Sequence, residues 1–182
     1  NTAVGAYAGY SNVNGESNVS VGTNALLQNT DGSYNTALGT AALCFNLNGI
    51  NNTAVGSNAM TSTGNTEGSN NTAVDVLAGS TNSGNKNTFL GALTDSTDSS
   101  YVNSTAIGYG AQISDSNQVM LGGPGTQSVM VNGELLFTPA TEPLLLSSDN
   151  NLKAFESNLK GTSQNSILVN PEGILYSTNG FA

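Results

Sequence analysis

A pentapeptide close to Asn-Thr-Ala-Val-Gly recurs along the chain at residues 1–5, 18–22, 35–39, 52–56, 71–75, 87–91 and 104–108. Its copies begin at positions 1, 18, 35, 52, 71, 87 and 104, with the longest step before Asn71 and the shortest before Asn87. A near-constant period of about 17 residues is the signature of a solenoid, in which one repeat forms one coil and each coil packs only on its neighbours.

Within the motif the Thr and the aliphatic residue are two apart, so in an extended strand they share one face and the intervening residue occupies the other. The aliphatic column reads Val4, Val21, Leu38, Val55, Val74, Leu90 and Ile107. Branched aliphatics throughout predict a buried inner column. The alternate column, Ala3, Ser20, Ala37, Ala54, Ala73, Phe89 and Ala106, is then expected on the opposite face, close against something else such as another chain. Gly closes the motif at Gly5, Gly22, Gly39, Gly56, Gly91 and Gly108, with Asp75 in the remaining copy; a positive φ or a close backbone approach favours Gly there. Three residues further on stand Ala8, Ala25, Ala42, Ala59, Ala78, Thr94 and Ala111, which reads as a second short strand or corner. The remainder of each unit is turn-forming, as in Asn12-Val13-Asn14-Gly15 and Asn46-Leu47-Asn48-Gly49.

Stacked coils place strands about 4.8 Å apart, so seven or eight of them extend on the order of 35 to 40 Å. The leading residues Asn1, Asn18, Asn35, Asn52, Asn71 and Asn87 read as a structural ladder, each amide bonding to its copies above and below.

Composition agrees with a thin core. Only 37% of the 182 residues are apolar and 6% aromatic, with no Trp. A narrow coil buries small residues where a layered domain needs bulky ones. Three Lys or Arg against 12 Asp or Glu give a net charge of −9, which makes nucleic acid and anionic membrane surfaces unsuitable partners. No stretch nears the roughly 18 apolar residues of a membrane span, so no membrane insertion is expected. The chain opens on Asn1 with no signal peptide, as expected of a piece of something larger. Cys44 is the single cysteine and His is absent. An intrachain disulfide is therefore excluded, and the commonest general base is missing.

After Gly108 the period shortens. Residues 118–122 repeat the motif, and Gly122 follows Gly108 sooner than a full coil would bring it. Pro124-Gly125 then forms a turn, and residues 128–137 read as strand, Asn132-Gly133 turn and strand. The segments 103–111 (Asn-Ser-Thr-Ala-Ile-Gly-Tyr-Gly-Ala) and 114–122 (Ser-Asp-Ser-Asn-Gln-Val-Met-Leu-Gly) resemble the head repeats of trimeric autotransporter adhesins of the YadA-like type. The upstream units are similar to longer-period variants in fibre and spike proteins of phages and large algal viruses. The resemblance covers about residues 1–135. It implies a left-handed parallel β-roll and association of three chains about one axis, an intertwined or side-by-side homotrimer. The bacterial members continue into a basic neck and a coiled coil, whereas residues 138–182 show no heptad pattern. A viral or phage fibre therefore fits better. Strands at 144–146, 166–169 and 174–176 are expected there, forming a small β connector. The expected organisation is a β-roll repeat domain over 1–125 and a β-rich neck or connector over 126–182.

Chemistry is sparse. Glu16, Asp31, Glu67, Asp75, Asp95, Asp98 and Asp115 lie in polar connections and read as solvated loop carboxylates rather than the paired acids of glycoside hydrolysis. Residues 95–98 read as a solvated turn rather than an ion site between chains. No calcium-binding repeat or other metal motif is present, so neither a cofactor nor a metal is expected. Tyr7, Tyr10, Tyr34, Tyr101 and Tyr109 offer surfaces on which carbohydrate stacks. Sequons occur at Asn18, Asn51, Asn70 and Asn103. The Thr column, Thr2, Thr36, Thr53, Thr72, Thr88 and Thr105, invites comparison with ice-binding solenoids, but sharing a face with the aliphatics it is expected to point inward. The site residues are thus scaffold: Asn18, Asn35, Asn52, Asn71 and Asn87; Val21, Leu38, Val55, Val74 and Ile107; Gly22, Gly39, Gly56 and Gly108. The expectation is a non-enzymatic, extracellular fibre or adhesin segment on a virion, phage tail or cell surface, whose partners are its own copies and a host glycan or surface receptor. A fibre-borne glycan depolymerase and a purely structural filament subunit are the alternatives.

Overall fold

The computed structural model of the chain describes residues 1–62 and 67–126, together with the backbone of two later strands, Ile167–Val169 and Leu175–Ser177. The chain divides into two units, Asn1–Met130 and Val131–Ala182.

The first unit is a parallel β-solenoid, and no helix occurs among its described residues. Equivalent positions of neighbouring coils, such as Asn18 and Asn35, stand 17 apart in the chain. Each repeat contributes one short strand: β1 (Thr2–Val4), β2 (Val19–Val21), β3 (Thr36–Leu38), β4 (Thr53–Val55), β5 (Thr72–Val74), β6 (Thr88–Leu90), β8 (Thr105–Ile107) and β10 (Val119–Leu121). They form one sheet in that order. Ala37 stands beside Ala54 and Leu38 beside Val55, so the columns of the motif are the registers of the sheet. Two further strands, β7 (Asp95–Ser96) and β9 (Gln112–Ile113), pair in parallel on the return path of the later coils. In the earlier coils that path is a run of turns. The Gly positions have the expected left-handed geometry, with φ of 129° at Gly22, 137° at Gly39, 135° at Gly56 and 107° at Gly108. Asp75 takes φ 108° in their place, and its Oδ1 accepts the Val76 N–H at 2.7 Å.

The structure reverses the expected inside and outside. Ala37, Ala54, Ala73, Phe89 and Ala106 are fully buried, whereas Val4, Leu38, Leu90 and Ile107 are exposed and Val21, Val55 and Val74 half-buried. The inner column is therefore the small one, and the aliphatics and the Thr rank form the outer face. The reason is volume. Ala25, Ala42, Ala59, Ala78, Thr94 and Ala111 of the return path are likewise fully buried, and the side chains that follow three of them, Leu26, Leu43 and Met60, point into the same channel. A coil one chain thick has no room for a second bulky column opposite these, and interiors tolerate neither overlap nor voids.

Phe89 confirms this accounting of space. Where β1 to β5 and β8 carry Ala or Ser, Phe89 fills the channel, and the return path of the preceding coil has Gly79 in the place of Leu26, Leu43 and Met60. A Cβ on Gly79 would lie 2.8 Å from the Phe89 ring. The bulk has moved from one wall to the other.

In the second unit, β11 (Ile167–Val169) and β12 (Leu175–Ser177) pair antiparallel, with Leu168 opposite Tyr176. These strands lie within one residue of those expected at 166–169 and 174–176. The strand expected at 144–146 and the strand-turn-strand of 128–137 fall outside the described residues.

Two predictions test this packing. Ala54→Asp places a charge in the closed channel at a cost of several kcal/mol and abolishes cooperative unfolding followed by circular dichroism, whereas Val55→Asp leaves the far-UV spectrum unchanged. Phe89→Ala destabilises by about 3–5 kcal/mol. Adding Gly79→Leu recovers part of that loss in a denaturant titration, because it restores the arrangement of the earlier coils.

Candidate functional site

The leading Asn side chains from Asn18 to Asn87 are buried and occupied. Asn35 Oδ1 accepts the Asn52 N–H at 2.9 Å, and Asn35 Nδ2 donates to the Gly49 carbonyl at 2.8 Å. Asn18, Asn52 and Asn71 repeat both contacts, each tying its strand to the next coil and to the turn that precedes it. Asn87 does the same toward Ser104 N and the Tyr101 carbonyl. The column is thus a side-chain-to-backbone clamp, not the amide-to-amide ladder expected from the sequence.

An amide ladder does exist, one turn earlier in the coil. Asn29 Nδ2 donates to Asn12 Oδ1 at 2.7 Å and Asn46 Nδ2 to Asn29 Oδ1 at 2.9 Å. Each of these amides also donates to the carbonyl three residues on, at Gly15, Gly32 and Gly49. Sequence reasoning took these segments for loops. The available signal was the spacing of Asn12, Asn29 and Asn46, which keeps step with Asn1, Asn18 and Asn35.

Three of the carboxylates are engaged within their own turns, and Asp31 bonds across coils. Asp75, Asp98 and Asp115 each accept a backbone N–H one or two residues ahead, and Asp31 Oδ1 accepts Asn14 Nδ2 at 2.6 Å. The hydroxyl and N–H of Ser100 hold the Asp98 carboxyl below its usual range. Asp95 departs from the expected solvated turn: it is buried, lies in strand β7, and accepts Ser80 Oγ at 2.9 Å, Thr81 Oγ1 at 2.9 Å and Ser96 N at 2.9 Å. Among the described residues no three Asp, Glu, Cys or His side chains group as metal ligands. Burial pushes the Cys44 thiol up, which keeps it protonated and unreactive.

Two surfaces remain free for recognition. The first is the outer sheet face, where the aliphatic column alternates with the Thr rank. The sequence-based reason for setting an ice-facing surface aside, that these Thr point inward, does not hold. Yet between Thr36 and Thr105 the Thr are half-buried, and Leu38, Leu90 and Ile107 of the same strands are exposed. An apolar column that protrudes past its hydroxyls favours contact with protein over ordered water. The second surface is a depression of about 400 Å³ on the return path of the later coils, which Asp95, Tyr109 and Gln112 help to line. Tyr7, Tyr10, Tyr34 and Tyr109 are exposed, with Tyr7 and Tyr10 edge to face at 5.6 Å between ring centroids, while Tyr101 packs against the core. Of the sequons, Asn18 is buried, and Asn51, Asn70 and Asn103 are exposed with φ near 60° (57°, 61° and 55°).

No family model matches the sequence, and no curated protein and no solved structure matches it. The resemblance of 103–122 to YadA-like head repeats therefore rests on the motif alone.

The second ladder gives a test of the scaffold. Asn29→Ala leaves Asn12 Oδ1 without its donor and takes from Asn46 Nδ2 one of its two acceptors, and it lowers stability by about 1–3 kcal/mol in urea unfolding. Asn14→Ala, which breaks only the exposed bond to Asp31, changes it by less than about 0.5 kcal/mol.

Proposed function

We propose that this chain is a non-enzymatic segment of an extracellular surface fibre or adhesin, borne on a virion, phage tail or cell surface, in which three copies of the roll associate and present an attachment surface. The observation that carries the reading is the outer column Val4, Val21, Leu38, Val55, Val74, Leu90, Ile107 and Leu121, which runs through all eight strands in register. A column of eight strands about 4.8 Å apart is roughly 34 Å long. A column of exposed and half-buried aliphatics of this extent marks a surface that another protein covers. Because the column runs through every strand in register, copies laid side by side along it would bury it from coil to coil. The motif's resemblance to trimeric heads supplies the number three.

The partner chain is thus expected on the aliphatic face and not on the Ala face. A trimer with identical surfaces repeated about one axis suits multivalent attachment, since linked weak contacts raise avidity without any new contact. The engagement of Asp31, Asp75, Asp98 and Asp115 in hydrogen bonds of the scaffold supports binding over polysaccharide cleavage.

Native mass measurement is expected to give three times the mass of one chain, and the pair Leu38→Asp with Val55→Asp to give a folded monomer. A wild-type monomer sinks the reading. Incubation with host surface polysaccharide is expected to leave the polymer intact, and released oligosaccharide would move the chain to the depolymerases.

A further inference from the structure

On the return path of the later coils the turns of the roll give way to the β7–β9 pair, and there the surface opens into the depression of about 400 Å³. That volume lies toward the low end of the roughly 300–1,000 Å³ of small-molecule sites. We propose that it is a carbohydrate subsite that takes one neutral hexopyranose unit of a surface glycan, and so supplies the contact by which the fibre attaches. The inference rests on the attachment reading above and names the ligand class for it.

The lining matches both faces of a sugar ring. Leu77, Leu93 and Pro124 contribute apolar surface, and the Tyr109 ring is 70% exposed at the same place. A pyranose presents C–H groups to such a platform while its hydroxyls point outward, the usual basis of sugar stacking on aromatic rings. Ser80, Asp95 and Gln112 supply the polar atoms. The Gln112 amide and the Tyr109 hydroxyl make no hydrogen bond among the described residues, so an acceptor, donors and a phenol stand ready for ring hydroxyls.

Other ligand classes fit less well. No Lys or Arg lines the depression, and the Asp95 carboxylate repels anions, which sets phosphate and sulfate aside. Both Asp95 oxygens are already engaged: Oδ1 accepts Thr81 Oγ1 and Ser96 N, and Oδ2 accepts Ser80 Oγ. Asp95 is therefore a fixed acceptor wall, positioned by its neighbours, and not a free ligand for a divalent cation or a mobile general base. A wholly apolar guest would cover the Gln112 amide without pairing it, at the cost of a desolvated polar group.

The test is a titration of the isotopically labelled full chain with methyl glycosides of glucose, galactose, mannose and N-acetylglucosamine to about 50 mM, since single-ring contacts of this size are millimolar. With at least one glycoside the Gln112 side-chain amide and the Gly110 backbone amide are expected to shift and saturate. Tyr109→Ala and Gln112→Ala should each weaken binding by about tenfold or more, while Tyr34→Ala, an exposed tyrosine elsewhere on the roll, should not. Both substituted side chains are exposed, and a melting curve matching wild type verifies the fold; Gln112→Ala decides alone if Tyr109→Ala fails to fold. Absence of shifts with all four glycosides, or unchanged affinity in the variants, overturns the subsite. A trimer that adheres to its host surface without these shifts loses the subsite and keeps the fibre reading. A monomer that still binds sugar does the reverse.

Discussion

Each coil of this roll is fastened to the next by one recurring contact, the buried Asn whose carbonyl oxygen accepts the N–H of its counterpart one coil on while its amide donates to the turn before that next strand. Strands of three residues are too short to hold a register by backbone pairing alone, and a slip of one residue would exchange the faces of the whole sheet. The clamp removes that freedom. It also satisfies the backbone groups at the entrance to each strand, which a thin solenoid has no second layer to cover. The Asn12, Asn29 and Asn46 ladder does the same for the return path, so two polar columns brace a core composed largely of Ala.

Because the register is held by amides, the channel between the walls needs only to be filled, and its narrowness sets what fills it. Ala faces Ala across the roll, with Leu26, Leu43 and Met60 supplying bulk from the return path. The exchange of Phe89 for Gly79 shows the two walls acting as one volume: the side chain that grows on one is matched by the one that vanishes on the other. The aliphatics of the motif are excluded from this space and left on the outer face. Their exposure gives the proposed assembly its physical basis. In the proposed assembly the two sides of the roll would divide the work, the sheet face holding copies together and the return path meeting the outside.

Much of the fold was legible in the sequence. The period marked one coil per repeat, the columns of the motif are the registers of the sheet, and the Gly positions carry the positive φ that the motif required, Asp75 included. The candidate site was less so. Tyr109 was in view as an exposed aromatic, but of its neighbours only Gln112 lies in the same coil, while Leu77, Ser80 and Asp95 come from the two coils before it, and no local pattern joins them. Asp95 looked like any other acid in a polar connection. Only the pairing of β7 with β9 shows it buried and engaged.

Alternation along a strand states which residues share a face, so the sequence by itself determined that Thr and Val stand together and Ala apart from them. It did not determine which of the two faces lies inside. That was decided by the path of the chain after the strand, which returns so closely that only small side chains fit between the walls. The tertiary structure therefore placed the Ala column within and the aliphatic column without, because the space a fold encloses is a property of its closed coil and not of any one strand.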